Sequence, residues 1–92
     1  MPLSLQRSKS FKKDLRKVTL SDGQFENLIT FLSLLLAENP LPEEAKDHAL
    51  KGEWRDFREF HLGGDCLVIY TLTQASLILV RIGSHAQLFK SL

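Results

Sequence analysis

Three strand-like runs, and the shortness of the gaps between them, constrain this chain most. Trp54 to Leu62, Cys66 to Leu72 and Leu77 to Ile82 are rich in β-branched, aromatic and aliphatic residues. A parallel pair of strands needs a crossover of about a dozen residues or more, so neighbours joined this tightly run antiparallel. Gly63-Gly64 supplies the first hairpin turn, and Gln74-Ala75, flanked by Thr73 and Ser76, supplies the second. The C-terminal half is therefore predicted to be a three-stranded meander.

Upstream the period changes. Leu3 and Leu5 alternate with polar neighbours, which predicts a short strand. Ser8 or Ser10 then caps a helix with a narrow apolar stripe of Phe11, Leu15 and Val18. Ser21 to Gln24 has the S-x-x-Q form of a capping box. The helix it opens carries Phe25, Leu28, Ile29, Leu32, Leu35 and Leu36 at helical spacing, widened by Phe31 and Leu34, so most of it is expected to be covered. Asn39-Pro40 closes it, because the residue before proline avoids the helical region. Leu41 to Lys51 contains Pro42, has no period and reads as a loop. Strand, helix, helix and three strands predict one small α+β domain over residues 1–92, with the helices on one face of a mostly antiparallel sheet.

Composition narrows the setting. A chain of 92 residues buries about 60–65% of its unfolded surface, enough for a modest core. At 43% hydrophobic and 25% charged residues it is globular rather than disordered. Cys66 is the single cysteine, so no internal disulfide forms, which fits a reducing cytoplasm. The first ten residues lack an apolar signal-peptide region. The apolar stretch Phe31 to Ala37 is broken by Ser33 and falls well short of the ~20 residues that span a bilayer. Neither export nor membrane contact is expected. The net charge of +1 does not announce a nucleic-acid binder, yet Arg7, Lys9, Lys12, Lys13, Arg16 and Lys17 face only Asp14. That stretch is either a solvated helix face or a patch that meets phosphates.

With two-residue turns in both hairpins, His61 lies opposite Cys66, Cys66 opposite Gly83, and Val68 opposite Arg81. One face then holds Phe60, Leu67, Ile69, Ile78, Val80 and Ile82 and packs under the helices. The other holds Phe57, Glu59, His61, Cys66, Tyr70 and Arg81. His85 follows just past Gly83, so His61, Asp65, Arg81 and His85 gather at one end of the sheet. A slip of one residue would exchange the faces.

Histidine gives and takes protons near neutrality. Cutting RNA without a metal needs a base for the ribose 2′-OH and an acid for the departing 5′ oxygen. A cation near the phosphate helps, as Arg81 would. Structural histidines are the competing reading, and spacing does not separate the two. A metal site is poorly supported: no HExxH pattern is present and Cys66 has no CxxC partner, so no metal or cofactor is expected. Cys66, placed between strands, reads as a small buried filler.

The ordered motifs carry a resemblance. Asp47 to Trp54 fits D-H-x-L-x-G-x-W, Phe57 to Asp65 fits aromatic-R-[DE]-x-H-x₃-D, and Arg81 to Phe89 fits R-x-G-[ST]-H-x-x-L-F. In these elements the chain resembles the YafQ-like toxins of the RelE/ParE superfamily. The resemblance implies a compact sheet with two N-terminal helices. It implies an mRNA interferase that acts on message bound to ribosomes, in a type II toxin–antitoxin system with a DinJ- or RelB-like antitoxin. Operator DNA would be met only through the antitoxin complex. The family's catalytic set carries over onto His48, His61, Asp65 and His85, its arginine onto Arg81, and its C-terminal base-stacking aromatic onto Phe89. Alternative readings keep other roles open: Phe89 pins the terminus, His48 caps a loop, Asp65 is a turn residue. The chain departs from the pattern at Cys66, where some relatives have a tryptophan after the aspartate; this bears on codon preference and rate. Two further functions remain beside the nuclease. One is a non-enzymatic ParE-like inhibitor, whose kind generally lacks this histidine set. The other is a co-repressor acting with its antitoxin.

Overall fold

A computed structural model describes residues 3–89. Its elements are β1 (Ser4–Arg7), α1 (Lys9–Lys17), α2 (Asp22–Leu36), β2 (His48–Ala49), β3 (Arg58–Gly63), β4 (Cys66–Leu72), β5 (Ser76–Gly83) and α3 (His85–Leu88). They build an α+β, RelE-like fold on one five-stranded sheet of order β1-β5-β4-β3-β2. β1 runs parallel to β5, and the other neighbouring pairs are antiparallel. Among the described residues no helix is long and apolar enough to cross a membrane.

The helix starts follow side-chain chemistry. Ser8, not Ser10, caps α1: its Oγ accepts the Phe11 N–H and donates to the Val80 carbonyl at 2.7 Å, tying the helix start to β5. Ser21 and Gln24 form the expected capping box on α2. That helix stops at Leu36, and Glu38 then takes a left-handed φ of 60° before Asn39-Pro40 is reached. The cover on α2 is narrower than expected. Leu28, Phe31 and Leu35 are buried, whereas Phe25 and Ile29 are 55% and 53% exposed.

Leu41 to Lys51 is not all loop. It holds a 3₁₀ turn at Glu43–Ala45 and then β2, whose two residues pair with Arg58 and Glu59. A two-residue strand is too short to leave a period in the sequence. β3 starts at Arg58 rather than Trp54, because Gly52–Trp54 is a 3₁₀ turn.

The register departs from the expected one at two bulges. The second turn forms at Gln74-Ala75, and Leu72–Leu77, Thr71–Ile78 and Tyr70–Leu79 pair as expected. Val80 then bulges, and Arg81 comes opposite Ile69 instead of Val68. The first turn is Gly64-Asp65, where Gly64 has φ +59°. Leu62 is the extra residue there, so His61 opposes Leu67 instead of Cys66. Leu67 also opposes Gly83.

The first shift exchanges the faces of β4 and of β5 as far as Val80, and the second restores the expected face at Ile82. Phe60, Leu62, Cys66, Val68, Tyr70, Leu77, Leu79 and Ile82 pack beneath Phe11, Leu28, Phe31 and Leu35. Leu67 and Ile69 turn to the opposite side, where Trp54, Phe57, Val80, Leu88 and Phe89 cover them. Each large apolar side chain buried this way contributes about 1.5–3 kcal/mol. The sheet is therefore covered on both faces, and the second cover is what builds the site.

Candidate active site

Glu59 sits where three segments meet. In the β2–β3 ladder it opposes His48, so the two side chains share a face. His61 lies two residues along β3 on that same face. The cross-strand run His61–Leu67–Gly83 brings the end of β5 alongside, and α3 begins there with His85. Ser84 and Gln87 form a second capping box that fixes this short helix.

All three imidazoles aim Nε2 at one carboxylate oxygen. Glu59 Oε2 lies 3.0 Å from His61, 3.3 Å from His48 and 3.7 Å from His85. Glu59 is 2% exposed, and its Oε1 is buried without a hydrogen-bond partner. A carboxylate oxygen only accepts, so a ring that bonds it carries Nε2–H. Nδ1 of His48 donates to the Lys46 carbonyl at 2.7 Å. Nδ1 of His85 lies 3.5 Å from Asp65 Oδ1, which also accepts the His85 backbone N–H at 3.4 Å. The Phe89 ring is 5.8 Å from that of His85 and 5.8 Å from that of Trp54. His48 and His85 stay open to solvent while their shared anchor does not.

The family described as a bacterial toxin of type II toxin–antitoxin systems, YafQ, matches residues 3–90. The chain belongs to the YafQ toxin family. It is 37% identical over 87 residues to the mRNA interferase toxin YafQ of Escherichia coli K12, covering 92% of this chain and 94% of that protein. The chain matched in the Escherichia coli DinJ–YafQ complex superposes with a TM-score of 0.80 at 33% identity, over 95% of this chain and 98% of that one. A metal-bound toxin from Helicobacter pylori superposes with a TM-score of 0.82 at 40% identity, over 95% and 99%.

Against the YafQ pattern, the structure brings together His48, His61 and His85, with Asp65 and Phe89 at the His85 end. It places Arg81 elsewhere. Arg81 Nε and a terminal nitrogen donate to Asp14 of α1 at 2.6 and 3.0 Å, and the Ile82 N–H donates to the same carboxylate at 3.2 Å. The two bulges cancel across β4, so Arg81 stays in the row of Glu59; the pair with Asp14 is what draws its guanidinium to α1. Burial opposes the charge on Asp14, but the bonds from Arg81 and Ile82 and the charges of Arg81 and Lys17 outweigh it and hold the carboxyl below its usual value. Cys66 and Tyr70, expected on the site face, lie under the helices. Burial and the adjacent Asp65 charge push the Cys66 thiol up, away from a reactive thiolate.

Sequence reasoning placed Glu59 on the right face yet gave it no role. Its signal was the [DE] of the R-[DE]-x-H element, two residues before His61. Arg58, the arginine of the same element, pairs with Asp47 at 3.2 Å.

Proposed function

We propose that this cluster cuts messenger RNA on the ribosome by metal-independent acid–base catalysis. One observation carries the reading: three imidazoles converge on a single buried carboxylate oxygen at 3.0–3.7 Å. As a YafQ-family member the protein is the toxin of a type II toxin–antitoxin system and an endoribonuclease of the mRNA interferase kind. Its partner is a DinJ-like antitoxin. The place of action is the cytoplasm, where translated message is found.

His61 and His85 serve as the acid–base pair. One takes the 2′-OH proton as the 2′ oxygen attacks the adjacent phosphorus; the other protonates the 5′ oxygen as its bond to phosphorus breaks. Each transfer contributes about 10²–10⁴-fold in rate. Asp65 orients His85, and Phe89 stacks on a base beside it. With Arg81 held by Asp14, His48 is the site group left to meet the phosphate: its Nδ1 is held by the Lys46 carbonyl and its solvent-exposed ring aims Nε2 into the cluster. His48 binds the phosphate in the transition state. Primer extension on ribosome-bound message tests this. Wild type gives cuts that require ribosomes, and His85→Ala and His61→Ala give none. Cutting by both variants at the wild-type rate overturns the assignment.

A second occupant of the same site is favoured by one feature. Glu59, His61 and His85 each offer a ligand atom, all within 4.8 Å of one another. Imidazole nitrogen with carboxylate suits a first-row transition ion. Such an ion takes the nitrogens that move protons, so Zn²⁺ or Cu²⁺ inhibits cleavage and a chelator restores it. Cleavage lost on chelation and restored by metal would instead make the ion the catalyst.

A further inference from the structure

His48 occupies the site although its strand has only two residues. The reason lies on the other face of the sheet. Side chains alternate along β2, so His48 faces Glu59 while Asp47, one residue earlier, turns the opposite way. There Asp47 Oδ1 accepts the Tyr70 hydroxyl at 2.6 Å and Arg58 Nε at 3.2 Å. Arg58 Nε also lies 3.3 Å from the Tyr70 oxygen, which closes a triangle. Tyr70 is 0% exposed and belongs to β4, across β3 from Asp47. The bond therefore ties the start of β2 to the rigid centre of the sheet.

The backbone before Asp47 needs such a tie. Lys46 adopts φ 49° and ψ 43°, a left-handed conformation that costs a non-glycine residue about 1–2 kcal/mol. That conformation presents the Lys46 carbonyl to Nδ1 of His48. Strain of this kind persists only where the surroundings hold it. On the near side Lys46 N–H bonds the Glu43 carbonyl at 3.0 Å. On the far side the hold is Asp47.

We infer that Tyr70 and Asp47 are positioning residues for His48: together they fix the strained Lys46 turn whose carbonyl holds Nδ1 of His48 and so aims its Nε2 at Glu59. The inference rests on the reading of His48 as a site residue. It also gives the buried hydroxyl a purpose that packing does not require, since phenylalanine would fill the same space. Burial and the Asp47 bond raise the Tyr70 hydroxyl above its ordinary value, so it stays a proton donor throughout the working range.

Tyr70→Phe removes the hydroxyl, which donates to Asp47 and accepts from Arg58, and leaves the ring in place. Its kcat for ribosome-dependent cutting falls about ten- to a hundredfold, the scale of an ångström-sized misplacement, with KM within about twofold. Asp47→Ala reproduces that loss; Asp47→Asn, whose amide oxygen still accepts the Tyr70 proton, stays within about threefold of wild type. A double-mutant cycle separates positioning from general weakening. In a His48→Gln background Tyr70→Phe changes kcat by less than about twofold, because the path runs through His48. An independent arm needs no cutting: ring signals of His48 in NMR spectra move in Tyr70→Phe more than those of His61 and His85. An undiminished loss in the His48→Gln background, or unmoved His48 signals, overturns the inference. If wild type cuts no RNA the catalytic reading fails, and the NMR arm alone decides whether Tyr70 sets His48.

Discussion

Replacing Glu59 with glutamine separates a working carboxylate from a structural one. The side chain keeps its size but loses its charge, and the oxygen that gathers three imidazoles becomes one end of a neutral amide. The closest bond is to His61 at 3.0 Å, with His48 next at 3.3 Å. A hydrogen bond to a charged group contributes about 1.5–3 kcal/mol. If one such bond is what holds a ring in reacting geometry, its loss slows kcat roughly 10- to 150-fold, at tenfold per 1.36 kcal/mol. Stability behaves differently. Glu59 is 2% exposed and its Oε1 has no partner, and burying an ionised carboxylate this incompletely bonded costs several kcal/mol. Removing the charge relieves that cost while the imidazole bonds are lost, so the two changes largely cancel. The melting temperature moves by no more than about 8 °C in either direction, about 1 kcal/mol for a domain of this size. Cleavage of ribosome-bound message and thermal unfolding by circular dichroism read the two quantities on one preparation. Activity within threefold of wild type refutes the positioning role. A collapse in melting temperature that parallels the loss of activity assigns Glu59 to the scaffold instead.

Three other outcomes follow from the same geometry. Asp14, held below its usual carboxyl value by Arg81 and Ile82, contributes stability that is full above pH 3.8 and is lost as pH falls through the lower folded value. Asp14→Asn is accordingly less stable than wild type by about 1–3 kcal/mol in urea at pH 7, and the gap narrows in that acid range; a gap independent of pH refutes the pairing. In Gly83→Ala the new Cβ would stand 2.8 Å from Gln87 Oε1, so the cap on α3 breaks at a cost of about 0.5–2 kcal/mol. Because α3 carries His85, cleavage drops along with the melting temperature, and a fully active Ala variant shows the cap is dispensable. Phe89→Leu keeps apolar packing near Trp54 but loses a flat face. If Phe89 stacks on a base, worth about 1–3 kcal/mol, KM for message rises by about five- to a hundredfold at nearly constant stability; a fall in stability alone makes Phe89 a pin for the terminus.

Much of the fold was legible because its signals are local. Ser21 and Gln24 name the start of α2 by the two bonds they exchange, and Gln74-Ala75 fixes the rungs next to it. The register beyond those rungs was not legible. A bulge announces itself only if it breaks an alternation between apolar and polar residues. Leu77 to Val80 are all apolar, as are Cys66 to Tyr70, so one residue more or less leaves no trace. Arg81 was misplaced for another reason: its partner Asp14 lies on α1, and a pairing so distant in sequence leaves no local signal. His48 was reached through the motif alone, because a two-residue strand has no period and its anchor Tyr70 lies on another strand.

The hidden register shares a physical cause with the site itself. Continuous apolar strands are what a sheet needs when both of its faces are covered. Here the second cover is Trp54, Phe57, Leu88 and Phe89, laid over Leu67 and Ile69. A carboxylate placed on that face cannot remain in water. Glu59 is forced to take its partners from the protein, and the groups within reach are the rings of His48, His61 and His85. Exposing the face would restore a readable alternation and would also dissolve the cluster, since a hydrated Glu59 has no need of three imidazoles. The burial that hid the register from the sequence is therefore the same burial that holds the histidines together.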